Sequence, residues 1–261
     1  MQELKLKFRY DHGIADTGRL ELYDAAIALK GIARVSSIIT HAYIKGEIRN
    51  HGDAAEGAKF YIDTPKRGSF LYEATIWTAG AITSGVFYDF IKYGFNEAVA
   101  NVYTEDDYKS LNDRVEPTIG ELPVALESAL VDVHRPIRSD NDVVLTVTRP
   151  RGEVLAVFNA QTATYLLPTT IPAPHIISGN VTKYNSITGW GKFFDLIEGR
   201  TISFNIDLES PERQKSLVTW SLHEHNMKRH ALLYLAANAV VTPTGRIKRY
   251  IVHHVSDTRI A

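Results

Sequence analysis

The chain has 261 residues, no Cys, 44% hydrophobic and 10% aromatic residues, and a formal net charge of −1. Without Cys it is neither a small disulfide scaffold nor a thiol enzyme, and it holds no Cys-ligated zinc or iron–sulfur cluster. Its apolar content is that of a chain with a packed core rather than an intrinsically disordered one.

The opening residues, MQELKLKFRYDHG, are charged and strand-like and lack the apolar h-region of a secretory signal. Residues 3–10 alternate apolar and charged side chains, which predicts a half-buried strand. A turn follows at His12-Gly13, and Gly18 caps a helix running from about Arg19 to Ile44, with Glu21 in its first turn. Leu22, Ala25, Ala26, Leu29, Ile32, Ala33, Ile39 and Tyr43 recur at spacings of three and four, which predicts one buried face. Residues 59–63 and 69–76 are β-rich runs flanking Thr-Pro-Lys-Arg-Gly at 64–68, a hairpin pattern.

Residues 75–86 form the most apolar stretch. At about a dozen residues it is too short to span a bilayer, which needs about 20. It runs into a helix over 79–101 that carries Ile82, Val86, Phe87, Phe90, Ile91 and Phe95. A helix apolar on most sides is buried on most sides, in a core or in a subunit interface, so self-association through 75–95 is expected. Residues 104–114 and 121–134 read as further helices, 143–148 as a strand, and 154–158 as a short ambiguous run. Three prolines within 168–174 mark a semi-extended connector. Beyond it, short β runs separated by Gly cover 177–185, 189–194, 199–206, 235–241 and 245–252. Five short strands suit a small closed or partly open barrel.

The expected fold class is therefore α+β: a mixed sheet with packed helices over 1–167, a connector at 168–174, and a small five-stranded β-barrel over 175–261. Charge follows this division. Residues 1–169 hold 18 Lys and Arg against 23 Asp and Glu, whereas 170–261 hold 11 against 7 and six of the ten His. The C-terminal part is thus the one suited to an anion.

Gly179, Val181, Tyr184-Asn185 and Gly189-Trp190-Gly191 are spaced as in the first hairpin of the cold-shock and oligonucleotide-binding barrels, and this stretch resembles them. The resemblance implies stacking of bases on strand aromatics. Lys183 and Lys192 stand where cold-shock proteins carry aromatics, which leaves Trp190 as the obvious platform and adds two cations. Lys183, Trp190, Lys192, Arg246, Lys248 and Arg249 are the candidate nucleic-acid or anion-binding residues. Simple alternation places Arg246, Lys248 and Tyr250 on one face of the last strand and Arg249 on the other.

The whole chain also resembles a family of uncharacterised bacterial proteins that join an N-terminal α/β module, with Arg-Gly-Ser-Phe at a hairpin turn as at 67–70, to a small C-terminal barrel. The resemblance implies a link to mobile-element or phage defence and names no chemistry.

The densest titratable cluster is His223, His225 and His230. On a strand, His223 and His225 share a face as two metal ligands would; on a helix they lie about 200° apart, and His223 faces with His230. A third ligand has to come from His175, His253 or His254. Glu105 to Asp107 reads as a helix start rather than a cation site, 140–142 as a turn, and Arg67 as a loop base able to meet phosphate. No phosphate-binding loop, dinucleotide fingerprint, nucleophile elbow or His-Glu-x-x-His motif occurs.

Three readings follow. The first is a cytoplasmic, non-enzymatic interaction or assembly protein without a cofactor, acting on a protein partner not identifiable from sequence. The second is a single-stranded nucleic-acid or nucleotide binder using the barrel. The third is a metal-dependent hydrolase built on His223, His225 and His230.

Overall fold

In the computed structural model the described residues are 2–49, 55–63, 70–80, 82–99, 111, 115–118, 120–150 and 152–260. The expected helix at 104–114, the Glu105–Asp107 acids and the Arg67 turn lie outside them. The chain divides into two compact units, 1–118 with 122–166, and 119–121 with 167–261.

The alternation of the first strand organises the N-terminal unit. In β1 (Gln2–Asp11), Leu4, Leu6, Phe8 and Tyr10 are buried. The opposite face carries Lys5 within 3.2–3.8 Å of Glu3, Asp63 and Glu73. With β2 (Ala58–Ile62), β3 (Phe70–Thr78), β4 (Val144–Thr148) and β5 (Val154–Phe158), it forms a sheet of order β2-β3-β1-β4-β5 in which every pairing is antiparallel. The short run at 154–158 is thus an edge strand.

A 3₁₀ turn at Gly13–Thr17 ends at Gly18, and α1 spans Leu22–Lys45. The helix is capped by the Glu21 side chain, which accepts from Asp24 N at 2.9 Å, and not by Gly18. Its buried face is also rotated from the expected one. Leu22 is 83% exposed and Ala26 and Ala33 face solvent, whereas Asp24, Ala28, Val35 and Ile38 are buried with Ala25, Ile32 and Ile39. An ion pair accompanies this phase: Asp24 Oδ1 accepts from Arg135 Nε at 2.7 Å, where the first turn faces inward.

Two further helices, α2 (Ser84–Ala98) and α3 (Glu121–Val133), fill the unit with the short α4 (Arg135–Ser139) and α5 (Ala160–Tyr165). Gly31 of α1 meets α3 so closely that a Cβ there would stand 2.6 Å from Val133 N. Phe87, Phe90, Ile91 and Phe95 of α2 are buried in this unit's core, where Tyr43 meets Phe87 and Phe90 edge-on and Phe95 meets Phe158. Most of the apolar segment 75–95 is thus packed in the core of its own unit, with Trp77, Ile82 and Val86 left half-buried. No helix among the described residues is long and apolar enough to cross a membrane.

The C-terminal unit is a closed five-stranded barrel of β7 (His175–Tyr184), β8 (Trp190–Asp195), β9 (Arg200–Ile206), β10 (Leu233–Val241) and β11 (Ile247–Ser256). The circular order is β7-β8-β9-β11-β10, with β9 and β11 parallel and β10 closing on β7. The proline-rich stretch is more than a connector. It holds β6 (Thr169–Thr170), paired to Val240 and Val241, so β6 and β7 run along β10 as one edge broken by prolines. Asn238 Nδ2 donates to the carbonyls of Ile171 and Pro172 across that break.

Between β9 and β10, α6 (Glu212–Asn226) sends Val218 into the core. Ser221 Oγ accepts from Val181 N at 3.1 Å and donates to Ala231 O at 2.6 Å, tying α6 to the barrel wall. The strand glycines answer a steric demand. A Cβ at Gly179 would fall 1.9 Å from Phe194 O, and one at Gly191 would fall 2.5 Å from the Phe204 ring. Larger residues there would hold the strands apart where the barrel coils most tightly.

Candidate nucleic-acid interface

Alternation decides which barrel side chains face outward. Phe193 of β8, Phe204 of β9 and Tyr250 of β11 are core residues, so their neighbours point away from the core. On β8 the outward set is Trp190, Lys192 and Phe194, all half-buried. On β9 it is Thr201, Ser203 and Asn205; on β11 it includes Arg249 and Ile251.

Register then lines these residues up. Lys183 stands opposite Lys192, Lys192 opposite Ser203, and Ser203 opposite Arg249. Three cations and a hydroxyl thus form one transverse row across β7, β8, β9 and β11, about 14 Å wide at three strand spacings. The neighbouring row runs Trp190, Asn205, Ile251.

Two irregularities make this row. On β7, the register shift between Val181 and Lys183 turns Lys183 outward while Tyr184 turns in and stacks on Phe204 at 6.1 Å. On β11, Arg249 pairs with Val240 and Ile247 with Val241, which leaves Lys248 as the extra residue of a bulge. That bulge overturns the simple alternation expected for this strand. Tyr250 does not share a face with Arg246 and Lys248. It is 1% exposed inside the barrel, and its hydroxyl donates to Asp195 Oδ2 at 2.7 Å. Asp195 Oδ1 accepts from the Ile197 and Glu198 amides, so the carboxylate also shapes the β8–β9 turn. Burial pushes the Tyr250 phenol pKa well up from its ordinary value, with the adjacent Asp195 adding to the effect.

Loops flank the row at both sides. The β7–β8 turn is closed by Asn185, whose Oδ1 accepts from Ile187 and Thr188 amides and whose amide donates to Trp190 O at 2.8 Å. The β10–β11 turn carries exposed Arg246, whose amide donates to Thr242 Oγ1 at 3.0 Å. Gly120, which clusters with the barrel, lies against Trp190, and a Cβ there would stand 3.1 Å from Trp190 Cε3. The indole is therefore seated against main chain on that side. An open depression of about 540 Å³ past the Trp190 row is lined by Asp207 and Glu209 along with Leu208, Ile251 and His253. These acids bound the cationic band on that side.

The histidines are placed otherwise. His223 and His225 lie exposed in the last turn of α6, and His230 lies beyond the helix end, so it does not share a helical face with His223. Glu224 is within 3.6 Å of Arg229 and 3.9 Å of His223. Among the described residues no three of His, Cys, Asp and Glu are grouped to hold a metal ion.

Sequence reasoning found the cations and Trp190 but missed Phe194. Its signal was the Phe193-Phe194 pair, which becomes readable only once Phe193 is known to face the core.

The chain is similar to two families, one in each unit. Residues 6–105 match the model described as Domain of unknown function (DUF7946), and residues 173–256 match Family of unknown function (DUF7947). No curated protein and no solved structure matches the chain.

Proposed function

We propose that this is a binding protein whose C-terminal barrel takes single-stranded nucleic acid across its outer face. One observation carries the reading: Lys183, Lys192 and Arg249 fall in a single register row between two turns, beside Trp190. A polyanion laid along that row meets a cation at every strand except β9, where it meets the Ser203 hydroxyl.

The connectivity supports the same reading. A closed five-stranded barrel with a helix between its third and fourth strands resembles the oligonucleotide-binding barrels. Those barrels bind on the face of their second and third strands, between the first and last hairpin loops. Here these correspond to β8 and β9, flanked by the turns at Asn185 and Arg246.

The assembly reading drew on the apolar segment 75–95, of which Ile76, Phe87, Phe90, Ile91 and Phe95 are buried in the N-terminal core while Trp77, Ile82 and Val86 are half-buried. The hydrolase reading drew on histidines that α6 spreads over its exposed end. Neither gains support comparable to the cation row. The test is fluorescence anisotropy of a labelled oligothymidylate at low salt, with the wild type beside Trp190→Ala, Lys192→Glu and Arg249→Glu. Binding by the wild type that weakens several-fold in each variant supports the reading. No binding, or equal binding by all four proteins, overturns it.

A further inference from the structure

We infer that the depression beside the Trp190 row reads one base of the bound strand, and that it selects a base carrying an exocyclic amine, such as cytosine, over uracil or thymine. This rests on the nucleic-acid reading above and adds the base class. The depression, of about 540 Å³, is lined by Thr188, Asn205, Asp207, Leu208, Glu209 and Ile251, and its volume falls in the range of small-molecule sites. It opens where β9 ends at Ile206 while β11 runs on to Ser256, so the parallel pairing stops at Val252. Asn205 and Ile251 lie two residues beyond Ser203 and Arg249 on their own strands, about 7 Å away on the same outward face. A strand with phosphates on the cation row and bases turned toward Trp190 thus sets a base over Asn205 and Ile251, at the mouth of the depression. Asp207 and Glu209 repel phosphate, which keeps the backbone on the cation row and leaves the depression to the base.

The side chains here offer mainly acceptors. Asn205 Nδ2 donates to Thr188 O at 3.4 Å, which leaves Asn205 Oδ1 for a ligand. Asp207 Oδ1 accepts from the Glu209 amide at 2.9 Å, which leaves Asp207 Oδ2. An ionised Glu209 only accepts. Exposed Leu208 and half-buried Ile251 supply apolar sides. Cytosine presents its N4 amine, a donor that carboxylates accept, whereas uracil and thymine present the O4 carbonyl in its place, an acceptor facing acceptors. The discrimination is therefore made at the base edge, by one amine against one carbonyl.

The experiment titrates oligodeoxycytidylate and oligodeoxyuridylate of equal length, whose bases differ only at C4 and N3, against the wild type, Lys192→Glu and the double variant Asp207→Asn with Glu209→Gln, all at neutral pH. The wild type should bind the cytidylate about tenfold more tightly, the worth of one base-edge contact. The double variant keeps the shape of both side chains but gives them amide donors able to meet O4, so the preference should disappear. Lys192→Glu should weaken both oligomers equally. Equal binding of the two by the wild type, or a preference for the uridylate, overturns the inference even if the double variant fails to fold. So does a tenfold preference that survives in the double variant. In those cases wild-type binding that still depends on Lys192 leaves the nucleic-acid reading standing. Failure of the wild type to bind either oligomer removes both.

Discussion

Lys183 and Lys192 stand directly opposite each other on the outer face of the barrel, across the β7–β8 pair. On the proposed reading both amines meet the ligand's phosphates. Lys183→Glu reverses one of those charges at an exposed position. It should leave the barrel folded, within about 1 kcal/mol of the wild type, while oligonucleotide affinity falls several-fold. Thermal denaturation and anisotropy on the same variant check this. A destabilised variant with unchanged affinity would assign Lys183 to structure alone.

Tyr250 and Asp195 form the polar contact inside the barrel. Tyr250→Phe leaves Asp195 Oδ2 without its hydroxyl donor and should cost about 1.5–3 kcal/mol in denaturant unfolding. Because burial raises the folded phenol's pKa, the neutral hydroxyl's contribution is complete below pH about 10, the value of an unfolded tyrosine. Above that pH the unfolded chain ionises first and the contribution declines. Tyr250→Phe should make the alkaline decline shallower, the remainder belonging to the other phenols that burial raises, Tyr10, Tyr72, Tyr88 and Tyr184.

His134 gives the N-terminal unit an acid sensitivity. Its Nδ1 donates to Leu130 O at 2.7 Å and its Nε2 lies 2.9 Å from Thr162 Oγ1, in a buried setting that disfavours the charged ring. Burial lowers its pKa from 6.5 to about 4. The folded pKa lies below the unfolded one, so stability is complete above pH about 6.5 and is lost as pH falls toward 4. The loss approaches about 3 kcal/mol. Urea unfolding at stepped pH should show that slope, and His134→Gln should flatten it.

Phe87 and Ile91 are 0% and 1% exposed on α2. Phe87→Ala should cost about 3–5 kcal/mol, and Phe87→Asp should unfold the N-terminal unit. Light scattering of a soluble Phe87→Asp protein that had merely dissociated from an oligomer would contradict the core assignment.

Periodic segments were legible from sequence because one periodicity governs each. The alternation of 3–10 and the barrel strands emerged with boundaries close to the observed ones, and the apolar helix expected over 79–101 is present but shorter, at Ser84–Ala98. What escaped depends on partners distant in the chain. The phase of α1 follows from partners far along the sequence, Val133 against Gly31 and Arg135 against Asp24, and no local spacing encodes them. Residues 169–170 look like linker because of their prolines, yet they pair with β10, which lies about seventy residues onward. In the candidate site the residue types were readable, but their faces were not. The bulge at Lys248 reverses the alternation and sends Tyr250 inward, and only cross-strand register assembles Lys183, Lys192 and Arg249 into one row.

The central claim is that this row contacts phosphates, and the salt dependence of binding tests it most directly. Three phosphate contacts to a single strand predict that log affinity falls with log salt at a slope of about −2, each contact supplying about −0.7. Lys192→Gln should reduce the slope to about −1.4 while leaving the fold intact by circular dichroism. A slope unchanged by Lys192→Gln, or wild-type binding that does not depend on salt, would contradict the account.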